Sequence, residues 1–111
     1  MDIARDKVGE LILLAREIAQ GMPDAEAQFD GLIEGMDEDE RADVVALLWI
    51  GRGAFEPEEW DEARRTAMEE ATVPTAAYLK GSPHLADHLE AGLEAMGIDP
   101  REAEDDATLP V

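Results

Sequence analysis

Apolar residues recur along this chain at helical spacing, and in one stretch polar residues drop out altogether. Val8, Leu11, Ile12, Ala15, Ile18 and Ala19 follow the i, i+3, i+4, i+7 rule and predict an amphipathic helix from Ile3 to Gln20, with Asp2 as its cap. Leu13 falls almost opposite that stripe, as a surface leucine or a contact to another chain. After a turn at Gly21-Met22-Pro23-Asp24, the residues Ala25, Phe29, Leu32, Ile33 and Met36 form one face of a shorter helix. Gly31 and Gly35 weaken that helix, since an interior glycine costs about 1 kcal/mol against alanine.

The uninterrupted stretch is Val44-Val45-Ala46-Leu47-Leu48-Trp49-Ile50. Seven apolar residues in a row are apolar on every side of a helix, so a helix here must be surrounded by the rest of the chain. Its start is marked by Asp37 and by Glu40 three residues on, the pattern of a capping box. Its end is marked by Arg52, a cation near the negative end of the dipole, and by Gly51 and Gly53, which can adopt the left-handed conformation that stops a helix.

Pro57 opens the next predicted helix, which runs to about Ala71 with Trp60, Ala63, Ala67 and Ala71 on its apolar face. Arg64 falls within that same arc and needs a carboxylate or an aromatic face to pack on, or else serves to contact a partner or anion. Pro74 to Leu79 predicts one or two helical turns ended by Lys80-Gly81. Ser82 and Pro83 then predict the start of a last helix, whose buried face is Leu85, Leu89, Gly92, Leu93 and Met96. Gly92 on a buried face implies close approach of another backbone. Gly97, Ile98 and Asp99-Pro100 mark the helix end, and residues 101–111 lack periodicity and predict disorder.

Composition adds one extreme. The 111 residues carry 28 Asp and Glu against 9 Lys and Arg, a net charge of −19. Such a surface disfavours nucleic acid and anionic membrane as direct partners; it permits basic partners and divalent cations, and charge alone identifies no ligand. There is no cysteine, hence no disulfide, thiolate metal site or cysteine nucleophile. With no signal-peptide pattern and no apolar run long enough to span a bilayer, the expected location is the cytoplasm.

The candidate chemistry is sparse. His84 and His88 stand at i and i+4, but HLADH is neither HExxH nor HxxEH, the two zinc-helix patterns. The run Asp37-Glu38-Asp39-Glu40 lacks the spacing of a calcium loop, and Gly51-Arg52-Gly53 lacks that of a phosphate loop. No serine is paired with an evident base. No cofactor is indicated, and nothing in the sequence gives positive support for an enzyme.

VVALLWIGRG at 44–53, FEPEEWDEA at 55–63 and TAAYLKGSPHLADHLEAGLEAMG at 75–97, after KVGELILLARE at 7–17, resemble a family of small bacterial proteins catalogued as domain of unknown function 3775. The resemblance implies bacterial origin and a shared fold; it brings no activity. The expectation is an all-α domain over residues 1–98, a compact bundle of five or six helices around the buried central one, with a disordered acidic tail at 99–111. Its expected role is a non-catalytic protein-interaction or regulatory module, binding an unidentified protein or a second copy of itself. The contact residues expected are Trp49, Arg52, Trp60, Arg64 and Tyr78, because arginine and aromatic residues dominate binding energy at interfaces. The alternatives are a metal-assisted hydrolase using His84 and His88, and an acidic decoy for a nucleic-acid-binding protein.

Overall fold

A computed structural model describes residues 1–70 and 74–107. Those residues form seven α-helices and no strand: α1 (Arg5–Ala19), α2 (Ala25–Glu34), α3 (Glu38–Gly51), α4 (Trp60–Glu69), α5 (Thr75–Lys80), α6 (Leu85–Ala95) and α7 (Pro100–Asp106). A 3-10 turn at Pro57–Glu59 leads into α4.

The helix α3 is the centre, as its seven-residue apolar run requires. Every residue from Ala42 to Ile50 is buried, and α4, α5 and α6 all pack against it. Its capping box is complete: the Asp37 carboxylate accepts from the Glu40 amide at 2.8 Å, and the Glu40 carboxylate accepts from the Asp37 amide at 3.3 Å. The other Glu40 oxygen accepts from Lys7 Nζ at 2.8 Å, so the cap also ties α3 to α1. Gly53, at φ +83°, ends α3, with the Ala54 amide donating back to the Trp49 carbonyl at 2.8 Å. Gly97 does the same for α6, and the Ile98 amide returns to Leu93 at 2.9 Å.

The other glycine beside Arg52 has a different task. Gly51 remains helical, and a Cβ on it would collide with the His88 carbonyl oxygen; one on Gly92 would collide with that of Leu47. The two glycines therefore let α3 and α6 meet backbone to backbone. The close approach expected of Gly92 is found, and its partner is α3.

Four local expectations are corrected. The cap of α1 is Ala4, because Asp2 is drawn to Arg64 instead. Leu14, off the expected stripe of α1, is buried because α2, α6 and α7 all pack on that helix. The helix α6 begins at Leu85, after His84 adopts φ +57°, so Ser82 and Pro83 precede it rather than cap it. The stretch expected to be a disordered tail from residue 99 contains α7, which brings the helices to seven where five or six were expected. Asp99 caps it, its carboxylate accepting from the Arg101 amide at 2.9 Å. Ala103 is wholly buried there against α1, where Gly9 leaves room for it: a Cβ on Gly9 would collide with the Ala103 carbonyl. Ala71, expected on the α4 stripe, and the last four residues of the tail lie outside the described residues.

Candidate functional site

The core is sealed almost everywhere. Val45, Trp49 and Ala67 retain 8% to 9% exposure and, with Ala42, line one cleft of about 460 Å³ between α3, α4 and α5, while Leu85, at 8%, opens on a second cavity. On α3, Glu38, Ala42, Val45 and Trp49 recur every three or four residues, so one face of the helix forms a continuous wall. Met68, 43% exposed, and Glu70 belong to the α4 side, and Pro74, Thr75 and Tyr78 to the α5 side.

Two of the residues singled out from sequence meet here. Trp49 Nε1 donates to the Tyr78 hydroxyl at 2.9 Å, joining α3 to α5 across the cleft. The Trp49 ring also stacks on Phe55, with centroids 5.7 Å apart and planes 27° from parallel. An indole fixed on one face by a ring and at its edge by a hydroxyl is a rigid element. Arg41 also lines the cleft, and its Nε and Nη2 donate to the carbonyls of Ile33 and Glu34, both at 3.2 Å, at the end of α2.

Arg64 lies elsewhere and faces inward. Its Nε donates to Asp43 Oδ1 at 2.7 Å, and its Nη2 lies 2.5 Å from Asp2 and 3.0 Å from Asp39. Asp43, the wholly buried acid of α3, fills its other oxygen with the amides of Asp2 at 2.5 Å and Ile3 at 2.9 Å. The bond to Asp43 and the neighbouring carboxylates hold the Arg64 guanidinium above its ordinary pKa. This is the internal ion pair weighed as an alternative for Arg64. Asp43 passed unnoticed in the sequence, where the only signal was an acid at the edge of an apolar run.

Arg52 is the exposed C-cap of α3 and makes no ion pair among the described residues, and Trp60 is half-buried at the start of α4. The structure thus brings Trp49 and Tyr78 together and sets Arg64 in a separate network. His84 and His88 stand edge to face, 6.4 Å between ring centroids. Among the described residues no three His, Asp or Glu side chains are placed to hold a metal ion together.

A second cavity, of about 370 Å³, lies between the end of α1 and the loop before α6. Its two cations are already engaged: Lys80 with Glu26 and Asp30, and Arg16 with Glu90 and Glu104. Burial pushes both Glu90 and Glu104 up; for Glu90 the hydrogen bonds from Arg16 and Glu104 win and leave it below its ordinary value, while Glu104 stays above. No helix among the described residues is long and apolar enough to cross a membrane.

No curated protein and no solved structure matches the chain. A family model does, over residues 26–98, which is 73 of the 111 residues and takes in α2 to α6 with the whole cleft. The helices α1 and α7 fall outside that match. The family is described as Protein of unknown function (DUF3775), and the chain belongs to it.

Proposed function

We propose that this chain is a non-catalytic interaction module that receives a protein partner at the cleft between α3, α4 and α5. The observation that carries this reading is the coincidence of three of the least-covered core residues, Val45, Trp49 and Ala67, with a rigid aromatic pair and an exposed methionine in one concavity. Rigid tryptophan and tyrosine are the residue types around which binding energy concentrates, and methionine adapts to the shape of what it meets. Of the residues expected to make contact, Trp49 and Tyr78 lie in the cleft, Arg52 and Trp60 remain accessible to a larger partner, and Arg64 supports the fold from within.

The test is an affinity capture from native extract with the wild-type chain and with Thr75→Trp, which fills the cleft from its rim. A protein retained by the first and lost by the second, at unchanged melting temperature, supports the reading. Equal retention by both excludes the cleft as the contact surface.

A further inference from the structure

The charge around the cleft narrows what enters it. Because α3 and α4 are joined by a short link and pack side by side, the start of α3 lies next to the end of α4, and Glu38 and Glu70 both line that end of the opening. Both carboxylates are exposed, and neither forms an ion pair among the described residues. The cation on the same wall, Arg41, keeps its charge but directs its donors to the α2 carbonyls, and the two carboxylates outnumber it. The floor is apolar and aromatic, while the chain as a whole carries −19. An acidic rim over an apolar floor complements an apolar side chain with cations on either side of it, and an acidic partner would be repelled both at the rim and at long range.

We propose that the cleft takes an apolar side chain from a basic segment of a partner protein, with flanking lysine or arginine residues held by Glu38 and Glu70. The proposal rests on the interaction module proposed above and specifies its partner. The volume, about 460 Å³, lies within the range of concave binding sites and accommodates one or two side chains rather than a folded surface. The face of Trp49 adds attraction for a cation that approaches it.

Two labelled synthetic peptides, one alternating lysine with leucine and one alternating glutamate with leucine, test the charge rule in vitro without knowledge of the natural partner. The lysine peptide is expected to bind, to shift the indole N–H resonance of Trp49, and to bind about five- to tenfold more weakly to the Glu38→Gln/Glu70→Gln double variant. The control pair Glu58→Gln/Glu94→Gln, which removes the same charge away from the cleft, should leave affinity unchanged. Absence of binding, equal binding of both peptides, an unshifted Trp49 signal, or equal weakening in the two double variants overturns the proposal. The capture experiment with Thr75→Trp tests the interaction module itself and can succeed where the charge rule fails.

Discussion

Asp43 and Arg64 form an ion pair across the α3–α4 contact in which the carboxylate is wholly buried and the guanidinium one-quarter exposed. Two backbone amides and one guanidinium satisfy that carboxylate, so removing the arginine leaves a buried charge short of its partner. Arg64→Ala and Asp43→Ala should each cost about 3–5 kcal/mol, and the double variant should cost much less than their sum. Urea unfolding of the four proteins checks this, and additive losses would mean that the two side chains act independently.

The glycine at the α3–α6 crossing gives a prediction of opposite sign to local propensity. In an open helix, glycine to alanine is worth about 1 kcal/mol of stabilisation, and Gly31 in α2, where an added methyl would have no atom within 4 Å, should show it. Gly92→Ala should instead destabilise by about 1–3 kcal/mol or more, because its methyl would meet the Leu47 carbonyl. Thermal melts of the two variants should move in opposite directions.

The bridge from Lys7 to Glu40 sets a pH window. The hydrogen bond from Lys7, then that from the Asp37 amide, lowers the Glu40 carboxyl below its ordinary 4.5. The bond to Glu40 raises the Lys7 ammonium above its ordinary 10.5. A carboxyl with a lowered folded pKa adds stability above its unfolded value that disappears as pH falls through the folded one. An ammonium with a raised folded pKa adds stability below its unfolded value that disappears as pH rises through the folded one. The stability difference between wild type and Glu40→Gln should therefore be full between pH 4.5 and pH 10.5 and shrink outside it. A constant difference between pH 3 and pH 7 would exclude the bridge.

Docking of α7 depends on the missing side chain of Gly9. Gly9→Ala should push Ala103 off α1 and free α7, making the bond after Arg101 sensitive to trypsin while the remaining helices keep their protection. Digestion followed by mass spectrometry reads the cut directly, and unchanged resistance at Arg101 would show that α1 and α7 adjust to the added methyl.

What the sequence made legible was whatever depends on near neighbours. The apolar run at 44–50, the Asp37–Glu40 box and the Gly97–Ile98 stop are all closed within a few residues, and each stands as expected. Gly51 was indistinguishable from a stop signal because what excludes its side chain is His88, nearly forty residues on. The helix α7 was hidden for the same reason: what anchors it is distant, Ala103 against Gly9 and Glu104 paired with Arg16, and no periodic stripe announces a seven-residue helix. The cleft was half legible, since Trp49 and Tyr78 could be picked as candidates but only the packing of α5 on α3 brings them into one hydrogen bond.

Gly51 and Gly92 have a mechanical consequence. Leu47 and Gly51 are one turn apart on α3, as His88 and Gly92 are on α6, so the two backbones interlock at two successive levels. A joint with two such teeth resists both sliding and rolling, because either motion drives a carbonyl into the neighbouring backbone. The α3 wall of the cleft is therefore an anvil, fixed to α6 behind it. Any widening of the cleft to admit a guest is left to α4 and α5, which also pack on α3.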